Sequence, residues 1–312
     1  MPAMLGPAQY VGRFAPSPTG PLHFGSLLAA VASYLQARAN NGLWLLRIED
    51  IDPPREQPGA DKLIIDALEA YGFAWDGPIC YQSRNTERHE ALVRELRSAD
   101  LAYPCACSRR DLAGMPRGPL GPVYPGTCRA GCDADEVAIR VRTDDDPVEF
   151  TDLLQGSQAQ RLESESGDFV VKRRDGLIAY HLAVVADDHD QRISEIVRGM
   201  DLLDSTPRQI YLQRLLGFEA PGYAHVPVVE VAPGEKLSKQ TGAAAIPTDE
   251  VRPVLLQALR ALRQAPADDL RDASLESIWE WAIGAWNPEP LRHKTSIPAE
   301  EYALAAPENR LW

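Results

Sequence analysis

The stretch RFAPSPTGPLHFGS, residues 13 to 26, combines the parts of an anion site. Pro16, Pro18 and Pro21 restrict the backbone of a turn, while Gly20 and Gly25 let it bend tightly and pass close to a ligand. A strand that turns sharply into a helix presents backbone N–H groups and a helix dipole to a phosphate, with His23 in that mouth as a donor. The plainer reading is a proline-rich loop whose histidine is satisfied by the backbone. Far downstream, KLSKQ, residues 236 to 240, puts Lys236 and Lys239 on a polar loop. A lysine ammonium on a mobile stem suits charge that grows on a departing pyrophosphate, although a lysine pair on a loop is equally the makeup of a solvated face.

A third group is sulfur-rich. Four of the five cysteines crowd between Cys105 and Cys132, with Cys80 apart as a buried apolar side chain. An odd number so clustered argues for a local metal site over a disulfide framework. Spacing alone gives four thiolates, Cys105, Cys107, Cys128 and Cys132, which suits structural zinc; reduced thiols packed in a core are the metal-free alternative.

The elements that must position these groups follow from the patterning. YVGRFAPS reads as a strand ending at a proline, FGSLLAAVASYLQARANN as a helix, and LWLLRIEDID as a buried second strand, a unit of the parallel-sheet α/β kind. DKLIIDALEAYGF and TERHEALVRELRSADLAY read as helices, the second ending near Pro104. Residues 10–103 form a first half-domain and 104–167 a loop-rich insert; 168–247 restore strand, helix, strand and a helix after the capping signal DSTPRQ. YAHVPVVEV is one more strand, and residues 248–312 carry three amphipathic helical stretches.

The chain of 312 residues is 45% hydrophobic and 25% charged, long enough for a large core or several modules. It shows neither a leader pattern nor an apolar run of the roughly 18 residues that a spanning helix needs, so the expectation is a cytoplasmic protein without a membrane partner. A net charge of −13 argues against tight, sequence-blind nucleic-acid binding, although a locally basic face can dock a short RNA segment.

HFGS and KLSKQ together resemble the two signatures of class I aminoacyl-tRNA synthetases, one after the first strand and one after the last. Within that class RFAPSPTGPLHFGSLLAA, LLRIEDIDPPR, YHLAVVADD and RGMDLLDSTPRQIYL resemble the glutamate-specific enzymes over roughly residues 10 to 250. The resemblance is strongest to a shortened branch, the glutamyl-Q tRNA(Asp) synthetases, which lack the anticodon-binding domain of the full-length enzymes. It implies a Rossmann-like parallel-sheet catalytic domain with a zinc-containing insert and a C-terminal helical segment. The activity implied is activation of L-glutamate by ATP without tRNA, then transfer to queuosine at the wobble position of tRNA(Asp), by a monomer.

The resemblance places glutamate against Arg13, Phe14, Ala15, Pro16, Ser17, Glu49, Tyr180 and Arg198. Arg13 and Arg198 would hold the side-chain carboxylate, Glu49 the α-ammonium, and Tyr180 would add a hydroxyl and a flat face. Without a ligand role, Arg13 and Glu49 would form a structural ion pair between neighbouring strands. His23, Gly25 and Lys239 would face ATP, with Lys236 a lesser candidate and Mg²⁺ bridging phosphate oxygens. Val184 stands where the glutamate enzymes often carry asparagine, so one substrate contact is missing. For zinc the family pattern is Cys105, Cys107, Tyr124 and Cys128, with Cys132 a competitor for Tyr124. Two rival readings are a glutamyl-tRNA synthetase charging the acceptor end of tRNA(Glu), and a catalytically silent RNA-binding relative.

Overall fold

The computed structural model describes residues 9–232, 234–237 and 243–299. Its first strand, β1 (Val11–Phe14), leads through the proline-rich loop into α1 (Phe24–Ala39) and back to β2 (Leu43–Ile48), which pairs with β1 in parallel from Val11↔Leu43 to Phe14↔Leu46. Gly20, at φ 139, takes a backbone shape closed to side chains with a Cβ, and a Cβ on Gly42 would lie 2.6 Å from the Tyr10 carbonyl. Nearly the whole circumference of α1 is buried, which explains its apolar run. α2 (Ala60–Ala70) returns the chain to the short β3 (Cys80–Tyr81), parallel to β2.

α3 (Thr86–Ser98) precedes β4 (Ala102–Cys105). The helix therefore stops short of Pro104, which sits inside a strand opposite Ile139. β5 (Arg117–Gly118) and β6 (Gly121–Pro122) make a small ribbon, and β7 (Ala138–Val141) is the centre of a sheet with β4 on one side. β8 (Pro147–Asp152) and β9 (Gly156–Arg161) form a hairpin, and the one-turn α4 (Leu162–Glu165) leads to β10 (Val170–Lys172) on the other side of β7.

α5 (Tyr180–Asp190) leads into β11 (Glu195–Gly199), followed by α6 (Thr206–Leu216) and β12 (Gly222–Val226), parallel to β11 over its whole length. The DSTPRQ signal marks the right place, but Ser205 makes no side-chain cap; Pro207 in the first turn starts the helix. The expected single strand YAHVPVVEV is two. Pro227, which has no N–H to give a ladder, separates β12 from β13 (Val228–Ala232), and β13 leaves for a different sheet with β14 (Glu235–Lys236).

Beyond Pro247 the described residues hold two α-helices rather than three, α7 (Val251–Ala261) and α8 (Leu275–Ala285), with 3₁₀ turns between and after. β15 (Ser296–Pro298), unforeseen, adds itself in parallel to β13. Leu255, Leu259, Ile278 and Trp279 share one core with Leu27, Leu35 and Trp44. No helix of the described residues is long and apolar enough to cross a membrane.

The amide of Ser194 donates to the Val11 carbonyl at 2.9 Å, and the Val11 amide donates to Ser194 Oγ at 2.9 Å. These bonds join the edge of β1 to the start of β11, so the two parallel sets run outward from this seam in opposite directions. Chains leave the carboxyl ends of β1 and β11 to opposite sides there, which opens the crevice where such folds bind ligands.

Candidate active site

A cavity of about 500 Å³ opens at that seam. Arg13, Phe14, Ala15, Pro16 and Ser17 come from the end of β1 and the loop beyond, His23 and Gly25 from the start of α1, Glu49 from the end of β2, Tyr180 from the start of α5 and Arg198 from β11; all of them line it. Lys236 lines it as well, while Lys239 lies outside the described residues. Val184 is buried in α5 and is not part of the lining. Phe14 stacks on Trp44 at 6.3 Å, and the Glu49 amide donates to the Pro16 carbonyl at 3.0 Å, fixing the loop to the end of β2.

Arg13 does not pair directly with Glu49. Its guanidinium grips Asp188 through Nε at 2.9 Å and Nη2 at 3.3 Å. Arg47, fully buried, donates to Asp188 at 2.8 Å, to Glu49 at 3.4 Å and to Gln191 at 2.5 Å. Two arginines and two carboxylates thus balance beneath the cavity floor. Burial outweighs the arginines at Glu49 and raises its pKa, whereas for Asp188 the neighbouring Arg13 and Arg47 overcome burial and lower it. Sequence reasoning missed Arg47 and Asp188; a charged residue inside the otherwise apolar LWLLRI and the acidic pair after YHLAVVA were the available signals.

Arg198 is in a different condition. Only 5% exposed, it donates from Nε to His225 Nε2 at 3.0 Å and from Nη2 to Thr206 Oγ1 at 2.7 Å and the Leu202 carbonyl at 3.3 Å. Its Nη1 has no hydrogen-bond partner, and among the described residues it makes no ion pair. A carboxylate reaches it through a relay: His225 Nδ1 is 2.6 Å from Asp152 Oδ2, and Asp152 is held by the amides of Leu154 and Gln155, both at 2.9 Å. Burial lowers the pKa of His225, so it is neutral, with its proton on Nδ1 and its Nε2 lone pair toward Arg198. A buried cation with an open donor and no direct counter-ion costs several kcal/mol until an anion meets it.

At the opposite end of the cavity His23 caps α1. Its Nδ1 accepts from the Ser26 amide at 3.2 Å, so one of the helix N–H groups expected to face a phosphate is taken by the histidine itself. A Cβ on Gly25 would sit 3.2 Å from that ring, which keeps the position small. Leu22 accepts from the Ile246 amide at 2.9 Å and His23 bridges to Ala245, tying the chain after KLSKQ to this end of α1. On the near side of that loop Lys236 Nζ pairs with Asp201 at 2.6 Å. Lys236 and Leu237, the described part of the second signature, therefore line the same cavity as His23 and Gly25.

In the insert, Cys105, Cys107 and Cys128 bring their sulfurs within 4.8 Å of one another. Tyr124 Oη is 3.3 Å from Cys105 Sγ and 3.7 Å from Cys107 Sγ. Cys132 packs against this cluster beside Cys128, with its thiol 3.4 Å from the Pro104 carbonyl, but it is not in the group of sulfurs that all lie within 4.8 Å of one another. Arg140 lies 4.0 Å over the Tyr124 ring and 3.2 Å from Cys105 Sγ, which favours anionic ligands. Burial raises the Cys128 thiol, but hydrogen bonds from Tyr124 and the Ala106 amide outweigh it and bring it down to about 7. Three convergent sulfurs of this kind fit a zinc ion, with Tyr124 placed beside them. Cys80 is half-buried rather than core, accepting from Asn85 Nδ2 at 3.7 Å.

A family model for tRNA synthetases class I (E and Q), catalytic domain, matches residues 9–254. The chain belongs to this family. As a class I tRNA synthetase of the E and Q group it is a ligase, built on the parallel-sheet α/β domain of that class. It is 50% identical over 292 residues to a protein of Pseudomonas fluorescens named glutamyl-Q tRNA(Asp) synthetase, covering 93% of this chain and 96% of that protein. A protein of the same name from Pseudomonas aeruginosa is 49% identical over 294 residues, 94% of this chain and 99% of its own. Among solved structures, the fold is shared with a glutamate tRNA ligase of Elizabethkingia meningosepticum, solved in complex with its amino acid, at a TM-score of 0.76 and 24% identity. That likeness covers 93% of this chain and 67% of the ligase.

Proposed function

We propose that this synthetase activates L-glutamate with ATP, without tRNA, and transfers it to queuosine at the wobble position of tRNA(Asp). The observation that carries the amino-acid half is Arg198: a buried guanidinium with Nη1 open, facing a cavity that also holds Arg13, Glu49 and Tyr180. An anionic side chain satisfies Arg198, and an α-ammonium group satisfies Glu49, whose charge burial disfavours. A neutral side-chain amide offers Nη1 no charge, so glutamine is discriminated against. The acceptor half rests on relatives of nearly equal length that carry the name glutamyl-Q tRNA(Asp) synthetase.

In the reaction, the α-carboxylate of glutamate attacks the α-phosphorus of ATP; the bond to the β-phosphate oxygen breaks and pyrophosphate leaves. No side chain acts as nucleophile. His23 and Lys239, with Lys236 a lesser candidate, would face the phosphates, bound Mg²⁺ would supply charge neutralisation there, and catalysis is positioning plus stabilisation of growing charge. Cys105, Cys107, Cys128 and Tyr124 would hold one structural zinc, which folds an insert whose apolar cluster is small. The enzyme works in the cytoplasm, where its tRNA and ATP are found.

Radiolabelled glutamate and ATP, offered with tRNA(Asp) containing or lacking queuosine and with tRNA(Glu), test the reading. We expect label only on the queuosine-containing tRNA(Asp), together with glutamate-dependent ATP–pyrophosphate exchange in the absence of tRNA. Label on tRNA(Glu) would sink the acceptor assignment, and absence of exchange in folded protein would sink the whole activity.

A further inference from the structure

One face of α6 is polar although it is buried. Thr206, Gln209 and Gln213 follow one another at helical spacing along it. Two of them have partners near Arg198. Thr206 Oγ1 accepts from Arg198 Nη2 at 2.7 Å, and Gln213 Nε2 donates at 3.2 Å to the hydroxyl of Tyr223, over whose ring Arg198 lies at 5.5 Å. Gln209, between them, is 1% exposed, and neither its Nε2 nor its Oε1 completes a hydrogen bond. An amide buried in that condition costs stability, and such a cost points to a task. Gln209 lies beside the hydroxyl of Tyr180 and stands behind it, since Tyr180 lines the larger cavity and Gln209 does not. Burial raises the pKa of that hydroxyl, although Arg198 opposes it, so Tyr180 keeps its proton at neutral pH.

A protonated hydroxyl has one hydrogen to give and lone pairs that accept, and the direction of the hydrogen decides what it recognises. Free to turn, the Tyr180 oxygen would accept from the side-chain NH₂ of glutamine while the glutamine carbonyl took the open Nη1 of Arg198. Held as a donor, Tyr180 joins Arg198 in asking for two acceptor oxygens. A carboxylate has both; glutamine has one, and its NH₂ is set against a donor. Resting on the glutamate reading above, we infer that Gln209 makes this choice: with the amino acid bound, Nε2 donates to Tyr180 Oη, turning its lone pairs toward α6 and its hydrogen toward the side-chain carboxylate. Gln209 is thus a positioning residue that sets the preference for glutamate over glutamine without touching either.

The test uses Gln209→Met, which keeps the volume and the unbranched stem but removes the amide, Tyr180→Phe, which removes the hydroxyl, and the two combined. For each, ATP–pyrophosphate exchange without tRNA gives the KM for L-glutamate and the inhibition constant of L-glutamine, and a melting temperature is taken alongside. We expect Gln209→Met to melt no lower than wild type, because an unbonded buried amide has been removed. Its KM for glutamate rises about tenfold while glutamine inhibits no more weakly than in wild type, so the preference shrinks about tenfold. The double variant is no worse than Tyr180→Phe alone, because the amide acts through the hydroxyl. Equal weakening of both amino acids, or losses that multiply in the double variant, overturns the inference. So does a lowered melting temperature in Gln209→Met, which makes the amide part of the structure only. Wild-type protein without glutamate-dependent exchange overturns it too, and is told apart because it fails before any substitution and takes the proposed activity with it.

Discussion

Arg198 is aimed by residues outside the cavity lining. Asp152 fixes the proton of His225 on Nδ1, and the opposite nitrogen accepts from Arg198 Nε, so the protein alone sets the guanidinium plane for the proposed glutamate. His225→Phe keeps the volume and removes the acceptor. We expect a KM for glutamate raised about tenfold with kcat changed far less, and His225→Gln, which restores an acceptor, to recover part of the loss; equal effects on KM and kcat would argue against positioning. On the proposed mechanism His23 would have two tasks, the cap of α1 and a contact to the phosphates, which one substitution confounds. Removing the cap of α1 costs about 1 kcal/mol, whereas losing a donor to the phosphates costs a rate factor of about 10². His23→Asn retains a capping side chain, so we expect it to restore the melting temperature lost in His23→Ala while leaving exchange as depressed as in the alanine variant.

At the scale of elements, Cys105, Tyr124 and Cys128 of the insert form a small cluster with Tyr103 just before it, too little apolar area to order a long run of loops and two-residue strands. Metal content separates its cysteines. We expect Cys132→Ser to retain about one zinc per chain and Cys128→Ser to lose it along with the insert's resistance to proteolysis; zinc loss in both would return Cys132 to the ligand set. The parallel units around β1 and β11 were legible because each reads as a strand, a turn and an apolar helix in one continuous stretch. That residues 13–17, Glu49 and Arg198 line one cavity was legible because RFAPS and the charged ends of β2 and β11 lie at predictable strand termini. What stayed hidden depends on partners remote in sequence: Arg47 with Asp188, His225 with Asp152, and β15, which becomes a strand only because β13 offers it an edge. The break at Pro227 was written in the sequence, but nothing local says that β13 changes sheets there.

Across the whole molecule, α7 and α8 are not an appendage. Trp279 Nε1 donates to the Tyr71 carbonyl at 2.9 Å, its ring meets Tyr34 at 4.8 Å, and Trp286 Nε1 donates to Gln36 at 2.7 Å, so the C-terminal helices complete the core beneath α1. In a fold so joined, charges at the site act on global stability, and they act with opposite signs. Asp152, Asp168 and Asp188 are each held below the usual carboxylate range because, although burial opposes it, their hydrogen bonds and ion pairs prevail. Each contributes stability that is present above the unfolded value of about 3.9 and is lost as pH falls through the lower folded value. Glu49 is raised, chiefly by burial, so its ionised form subtracts stability as pH rises through that raised value. A melting profile from acid to neutral pH should therefore be level near neutrality and fall steeply below about pH 4. Glu49→Gln removes the opposing contribution: we expect it to melt higher than wild type at neutral pH, with the gap shrinking toward acid pH, and to have lost glutamate-dependent exchange. A Gln variant less stable than wild type at neutral pH would mean that the bond from Arg47 to Glu49 outweighs the burial of the charge. The expected result instead makes Glu49 a charge kept in the core at the expense of stability, because an ammonium group has to meet it there.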